Sequence, residues 1–197
     1  AAWGYLRLAT PVYNVSATVL IKDDKKGGGA SMSSELEKMG LDGFVSSSSN
    51  VDNEIEVLKS KSLAREVVER LNLFVTYKDK DEFPVRELYR TSPITVSLTP
   101  QEADNLPKPM EVAMILQPSG AMDVQITVGE KEYQKQFDKL PAVFPTDEGT
   151  VAFFANSDTL TSVRPDSVTT ERHITAFIHR PSSVAKGYTN SLSIAAT

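Results

Sequence analysis

Residues 53–73 read NEIEVLKSKSLAREVVERLNL, a stretch that predicts two short helices meeting at a corner. Apolar residues recur at helical spacing in two sets, which are Ile55 with Leu58, and Leu63 with Val67 and Leu71. Each set forms a stripe on one helical face, because residues three or four apart lie side by side on a helix. Ser60 and Ser62 separate the stripes. Serine favours a helix end followed by a fresh cap, because its hydroxyl competes for backbone hydrogen bonds.

Polar and charged residues complete this helical pattern. Asn50 or Asp52 can cap the first helix by accepting a hydrogen bond from a free backbone N–H. Two pairs of opposite charge are spaced four apart, Arg65 with Glu69 and Glu66 with Arg70. Such pairs contribute a few tenths of a kcal/mol at most. We interpret these charges as a solvated helix face, with contact to a neighbouring subunit as the alternative.

Most of the remaining sequence has the pattern of β-strands. Residues 13–22 alternate between apolar and polar types, the period of a half-buried strand. Further runs of this kind are Ile94–Leu98, Val112–Leu116, Val124–Val128, Lys131–Phe137, Val151–Ala155 and Thr169–Ile178. Turn residues at 118–120 and 129–130 favour a β-meander. The pattern predicts an α+β fold: a mixed, mostly antiparallel sheet with a few short helices packed on it and a β-rich segment at 94–155.

Two regions depart from the strand pattern. Residues 23–50 combine a KKGGG run with a serine run, and we expect mobility there, with one short helix over 33–39. Near the other end, Ser182–Lys186 predicts a brief helix closed by Gly187. A last strand is predicted from Asn190 to Thr197.

Composition limits the classes of protein to consider. A chain of 197 residues with 40% hydrophobic content can bury one sizeable core, with or without an appended subdomain. The net charge of −5 and the pI near 5.1 argue against nucleic-acid partners, because phosphate binding requires clustered Lys and Arg. The sequence has no cysteine, which excludes a disulfide framework and thiolate metal sites but leaves the compartment open.

The first residues, AAWGYLRL, are apolar and aromatic but far fewer than the roughly 20 of a membrane span. Trp3 and Tyr5 followed by Arg7 suit the boundary between a transmembrane helix and water. Residues 1–12 therefore predict a membrane-proximal stub, and a short helix or tail packed on the core is the alternative. Both ends of the sequence suggest that it was cut from a larger protein.

Few residues suggest catalysis. His173 and His179 are the only histidines, and on one extended strand they stand ~20 Å apart, too far to hold one ion. Neither histidine has a carboxylate or a nucleophile at a sequence spacing that indicates a catalytic pair, so we interpret both as surface residues. The acidic clusters at 79–82 and 147–148 are interpreted as solvated loops, and nothing selects a carboxylate pair for glycoside hydrolysis.

The glycines at 27–29 do not form a phosphate-binding loop. In such a loop Lys and Ser or Thr follow the last glycine, whereas here the lysines precede the glycines. We interpret this run as a flexible turn. The sequence therefore predicts no catalytic, cofactor-binding or metal-binding residue.

Residues 13–23 and 49–77 resemble the chain-length-determinant (Wzz-type) domain of polysaccharide co-polymerases, in particular the periplasmic parts of bacterial tyrosine autokinases of capsule and exopolysaccharide loci. A looser likeness covers residues 178–181 with Ala185 and Tyr188. The resemblance rests on the order of elements. A strand and a serine-rich gap precede a helix with an Asn-x-Ile motif and a second helix ending Leu-Asn-Leu, and a β-rich middle precedes a short helix and a strand.

The resemblance implies an inner-membrane protein whose two transmembrane helices flank a periplasmic α/β domain. Residues 13–197 are then a periplasmic α/β base domain that stops before the long helices of the family. The family assembles as a homo-oligomeric ring and works with a membrane polysaccharide polymerase and export machinery, with polysaccharide as a further candidate partner. Any tyrosine kinase domain of the parent protein lies outside these residues, and no cofactor is expected in them. The segment 94–155 is longer than the family pattern and suggests an extra contact surface.

Three functional hypotheses follow. The first is a scaffold, not an enzyme, that sets the length of a capsular polysaccharide or exopolysaccharide through shape and contacts. The second is a secreted or surface-anchored carbohydrate-binding β-rich module, which needs exposed aromatic rings to stack on sugars. The third is an enzyme with remote carboxylates, which requires glycan turnover that single Asp or Glu substitutions abolish.

Overall fold

The computed structural model describes residues 17, 51–81, 83–88, 90–156 and 171–193. Several predictions fall outside this range: the stub at 1–12, the strand at 13–22 apart from Ala17, the mobile region and helix within 23–50 with the cap Asn50, and residues 194–197 of the last strand. Two compact units are distinguished, residues 64–190, and residues 1–63 together with 191–197.

The described residues form short helices and strands. They are α1 (Val51–Leu58), α2 (Lys61–Arg70), β1 (Val75–Asp79), β2 (Arg86–Glu87), β3 (Ile94–Ser97), α3 (Pro100–Asp104), β4 (Met110–Leu116), β5 (Met122–Val128), β6 (Lys131–Phe137), β7 (Ala142–Thr146), β8 (Gly149–Ala155), β9 (Arg172–Ile178) and α4 (Pro181–Ser191). The predicted α+β class with a mostly antiparallel sheet is confirmed.

The break between α1 and α2 lies at the predicted serine. Ser60 Oγ accepts a hydrogen bond from Leu63 N at 3.3 Å, which is the bond of an N-cap residue to the third residue of its helix. The prediction of two short helices is therefore confirmed. Asp52 lies inside α1 and is not its cap.

A left-handed asparagine ends α2. Asn72 has φ +53°, a conformation that asparagine adopts more readily than most residues. Leu73 N donates to Val68 O at 2.9 Å, and Asn72 N donates to Glu69 O at 3.2 Å. This pair of bonds is the Schellman motif, which satisfies carbonyls that the helix leaves free. The motif places Leu73 against the core.

The face that α2 buries is not the stripe of Leu63, Val67 and Leu71. Val67 and Leu71 are 41% and 53% exposed, whereas Val68 is 1% exposed and packs in the core beside Ala64. Both faces are apolar, so periodicity alone does not choose between them. The Schellman motif selects the face of Val68, because it places Leu73 and Val68 in the core together.

Six antiparallel strands form the larger sheet, in the order β2-β1-β9-β4-β5-β6. The meander predicted from Ile94–Leu98, Val112–Leu116 and Val124–Val128 is confirmed only in part. β4 and β5 pair and β6 continues the meander, with Gly120 (φ +86°) and Gly129 (φ +65°) in its turns, but β3 belongs to a different sheet. One face of this sheet is the core. Along β4, Met110, Val112 and Met114 are buried and the residues between them are half-buried.

A second antiparallel sheet, β3-β8-β7, shares this core. The hydroxyl of Tyr77 in β1 accepts a hydrogen bond from Val96 N at 2.8 Å and donates to Val96 O at 3.4 Å, and so joins the two sheets. Phe137 of β6 meets Phe144 and Phe153 of the smaller sheet with ring centroids 6.0 and 5.9 Å apart. The sequence pattern predicted strands here but not their division into two sheets.

Four elements were not predicted, namely β1, β2, β7 and α3. None exceeds five residues, which is too short to show a clear period. β7 also contains Pro145, which is tolerated because β7 lies at the edge of its sheet.

The helix α4 is longer than predicted. It runs from Pro181 to Ser191, so Gly187 lies inside it, and Asn190 belongs to the helix instead of a strand. Gly187 has no positive φ, and a Cβ added there meets nothing within 4 Å. This glycine therefore does not end the helix.

A capping box begins α3. Thr99 Oγ1 accepts a hydrogen bond from Glu102 N, and Glu102 Oε2 accepts one from Thr99 N, both at 3.3 Å. Glu102 Oε1 also accepts a hydrogen bond from Thr150 N at 3.2 Å, which ties α3 to β8. The Thr99 hydroxyl also donates a hydrogen bond to Glu102 Oε2 at 2.5 Å. This bond, with those from Thr150 N and Thr99 N, holds the pKa of Glu102 below its usual value. Gly149 adjoins this carboxyl group, since a Cβ there stands 2.9 Å from Glu102 Cδ.

Candidate functional site

A groove with basic walls opens where the loop 105–109 meets the end of β9 and the first turn of α4. Its volume is about 430 Å³, within the range of small-molecule sites. The residues that line it are Pro107, Lys108, Pro109, His179, Arg180, Ser183 and Val184. Three of these side chains are basic, although the chain as a whole has a net charge of −5.

The loop opposite holds the guanidinium of Arg180. Its Nε donates to Leu106 O at 2.6 Å, and its Nη2 donates to Pro107 O at 3.0 Å. A guanidinium has five N–H donors, and these two bonds leave three for a ligand. Within the described part of the chain, neither Arg180 nor Lys108 forms an ion pair with a carboxylate.

The backbone on either side of Lys108 and at His179 is also fixed. Pro107 and Pro109 flank Lys108, and their rings fix φ on both sides of it. At the end of β9, His179 N donates to Phe74 O at 2.8 Å. The basic side chains therefore extend from fixed positions.

Asp104 caps α4 beside the groove. Its Oδ1 accepts a hydrogen bond from Ser182 N at 2.9 Å, and its Oδ2 lies 2.6 Å from Nη2 of Arg65. The pKa of Arg65 is raised by its hydrogen bond to Glu69 and by the charges of Asp104 and Glu69, which outweigh partial burial. Both predicted pairs of α2 form at 2.6 Å. Arg65 is 45% exposed, as a solvated face requires, and it also joins α2 to α3 through Asp104.

Two acidic residues join the end of β1 to the start of β9. Asp79 is only 2% exposed, and its Oδ2 accepts a hydrogen bond from Arg172 Nη2 at 2.9 Å. Asp81 Oδ1 lies 2.9 Å from His173 Nδ1, and its Oδ2 accepts a hydrogen bond from His173 N at 2.7 Å. Burial acts to raise the pKa of Asp81. The hydrogen bonds of His173 and the charges of His173 and Arg172 outweigh it, so this pKa lies below its usual value.

This cluster corrects two interpretations made from the sequence. The segment 79–82 is not simply a solvated loop, because Asp79 is buried and paired. His173 does have a carboxylate partner, but Asp81 lies 92 positions away in the chain, so no sequence spacing could reveal it. In the described residues, no Ser or Thr hydroxyl is hydrogen-bonded to the ring of His173, as a nucleophile and its base require.

The second acidic cluster, Asp147 and Glu148, ties the turn between β7 and β8 to the larger sheet. Lys131 Nζ lies 3.3 Å from Asp147 Oδ2 and 2.8 Å from Glu148 Oε1. The Tyr133 hydroxyl bonds to both carboxylates, at 3.2 and 2.8 Å. The hydrogen bond from Lys131, followed by that from Tyr133, holds the pKa of Glu148 below its usual value. The solvated-loop interpretation therefore holds for Asp147, which is 76% exposed in the turn, but not for Glu148, which is 11% exposed and paired.

The two histidines lie in different surroundings, with His173 in the cluster at the start of β9 and His179 in the groove. No set of three His, Asp or Glu residues that could hold a metal ion occurs where the chain is described. Likewise, none of the described helices is long and apolar enough to cross a membrane.

Sequence reasoning missed Lys108 and Arg180 as residues of one groove. The Pro-Lys-Pro run at 107–109 indicates a stiff loop that carries a lysine. It does not indicate that Arg180 lies in the same groove. Comparison with known proteins adds no further residue: no family model matches the chain, and no curated protein matches its sequence.

Proposed function

We propose that these residues form the periplasmic domain of an inner-membrane polysaccharide co-polymerase, a scaffold that acts as an oligomer. In this role the domain sets chain length during the synthesis and export of a capsular polysaccharide or exopolysaccharide. The observation that carries the proposal is the order of elements. Two helices broken at a serine lead into a strand, and a β-rich segment and a second strand precede a short helix. This is the middle part of the order on which the resemblance rests, without its first and last strands.

The pairing within residues 64–190 supports a domain with an inserted β-rich segment. β1 and β9 are neighbours along five paired residues, although the whole segment 94–155 lies between them in the chain. Val68 of α2 and Ala185 of α4 belong to the same core. Within residues 64–190, β1 and β9 therefore pair and α2 and α4 share their core, with the β-rich segment extending the same sheet through β4, β5 and β6.

The alternative of a carbohydrate-binding module depends on exposed aromatic rings. Among the described residues, the most exposed are Phe83 at 88%, Tyr188 at 50% and Phe154 at 47%. They belong to a loop, a helix and a strand, and nothing in their placement favours this alternative over the scaffold.

Location relative to the inner membrane tests the proposal. These residues contain no cysteine, so Ser119→Cys in the exposed turn between β4 and β5 gives the domain a single labelling site. In cells that express the natural protein with this change, a maleimide that cannot cross the inner membrane should label the site once the outer membrane is permeable. Ala103→Cys, at a position that is 0% exposed, is the control and should stay unlabelled. Labelling of Ser119→Cys only after lysis of the inner membrane would overturn the proposal.

A further inference from the structure

We propose that the basic groove binds the oxyanion of a charged sugar, either a sugar phosphate or a uronate. The biological role of such a site rests on the proposed function, whereas its binding chemistry rests only on the groove. Lys108, His179 and Arg180 line one groove, and all three side chains carry N–H groups that can donate to an oxyanion.

The electrostatic balance in the groove favours an anion. Arg180 and Lys108 have no carboxylate partner in the described part of the chain, so an incoming oxyanion does not have to displace one. Asp104 is the acidic residue at this helix end, and its two oxygens are already used by Ser182 N and Arg65. Arg65 offsets only part of this negative charge, because it also pairs with Glu69.

The geometry of Arg180 favours binding as well. Its guanidinium is already held by the carbonyls of Leu106 and Pro107, at 2.6 and 3.0 Å. A side chain that is ordered before the ligand arrives loses less conformational entropy on binding. The donors of Arg180 that remain therefore form a prearranged site.

Size and lining point to a sugar that carries the anion. A cavity of about 430 Å³ is much larger than one phosphate or carboxylate group needs, so it has room for an attached ring. Pro107, Pro109 and Val184 provide apolar surface for the C–H faces of that ring. Ser183 can donate to or accept from a sugar hydroxyl.

The expected affinity is modest. The groove opens to solvent and the net charge of −5 repels anions, although salt limits this repulsion to ~8 Å at physiological ionic strength. We expect a Kd of about 1 mM, which corresponds to roughly 4 kcal/mol of binding free energy. Binding should weaken as salt is added.

An NMR titration of the 197-residue chain tests the site with three probes: glucose 1-phosphate, glucuronate and glucose. We expect saturable shifts of the amide signals of Lys108, His179, Arg180 and Ser183 with one or both charged sugars, and none with glucose. The stronger of the two charged probes identifies the oxyanion. Equal shifts with glucose, or no saturable shift with either charged sugar at about ten times the expected Kd, would overturn the proposal.

Two lysine variants complete the test. Lys108→Gln should weaken binding at least threefold. Lys139→Gln, which removes the same charge from an exposed position elsewhere, should leave binding unchanged. Equal weakening by both would show a general charge effect and would contradict the site. A flat titration, together with altered glycan length in cells that lack the domain, would refute the groove alone and leave the scaffold standing.

Discussion

Tyr77 shows how single buried polar groups hold the two sheets together. Its hydroxyl is the hydrogen-bond partner of Val96 N, and its side chain is 6% exposed. Tyr77→Phe removes the hydroxyl and leaves the buried N–H of Val96 unpaired, which costs roughly 1–3 kcal/mol. Urea denaturation should show this loss as a lower midpoint.

Tyr133→Phe is the matched control for this prediction. The Tyr133 hydroxyl contacts two carboxylates of the turn between β7 and β8 and leaves no buried backbone group unpaired when removed, so its loss should lower the urea midpoint less than the loss of the Tyr77 hydroxyl. A similar drop for both variants would contradict the role given to Tyr77.

Tyr77 also predicts a dependence of stability on pH. Burial raises its pKa above the usual value of 10.0, although the hydrogen bond from the Val96 backbone opposes this. The unfolded chain therefore ionises first as the pH rises. The stabilisation is complete below pH 10 and is lost as the pH approaches the raised pKa. Above pH 10, wild-type stability should fall more steeply than that of Tyr77→Phe, and parallel curves would argue against a buried neutral phenol.

The buried pair of Asp79 and Arg172 gives a prediction of a different kind. Asp79→Leu should cost about 3 kcal/mol, because it leaves the partly buried guanidinium of Arg172 without its carboxylate. The double variant with Arg172→Met should be more stable than Asp79→Leu alone, since no unpaired charge remains. Chemical denaturation of Asp79→Leu, of Arg172→Met and of the double variant measures this coupling. Additive losses of stability would show that the two residues act independently.

At the scale of elements, two glycines should respond to alanine in opposite ways. Gly149 has φ +143°, and a Cβ there would lie 2.9 Å from both Glu102 and Leu98, so Gly149→Ala should cost roughly 1–3 kcal/mol. Gly187 lies inside α4 with open space around it, so Gly187→Ala should stabilise by roughly 0.5–1 kcal/mol. Thermal unfolding of the two variants should show melting temperatures that move in opposite directions. Destabilisation by Gly187→Ala would instead support the shorter helix expected from the sequence.

The elements that the sequence predicts well are those specified by local patterns. The break at Ser60 and the meander of β4 to β6 need only a helix cap, a period of two and turn residues within a few positions. The buried face of α2 was not predictable from periodicity, because a contact of Leu73 after the helix selects it. The short elements β1, β2, β7 and α3 were not predicted from their local patterns.

The groove and the clusters depend on contacts between distant residues. Arg180 reaches Leu106 across 74 positions, and His173 reaches Asp81 across 92. Such pairings follow from the order of strands in the larger sheet, which places the late strand β9 between β1 and β4. A single sequence does not specify that order, so the composition of the groove could not be predicted.

At the scale of the whole molecule, residues 64–190 form a unit in which the β-rich segment and the flanking helices share one core. Several acidic residues join elements of this unit, as the pairs of Asp79, Asp104 and Glu148 do. Such a unit suits a protein that acts through its shape and its contacts.

The size distribution of the surface polysaccharide tests the scaffold most directly. Cells whose natural gene lacks residues 64–190 in frame should be compared with wild-type cells by gel electrophoresis of the extracted glycan, at matched levels of the parent protein. We expect polymer of altered length to be made, because the scaffold sets length and does not catalyse polymerisation. An unchanged length distribution would contradict the scaffold function.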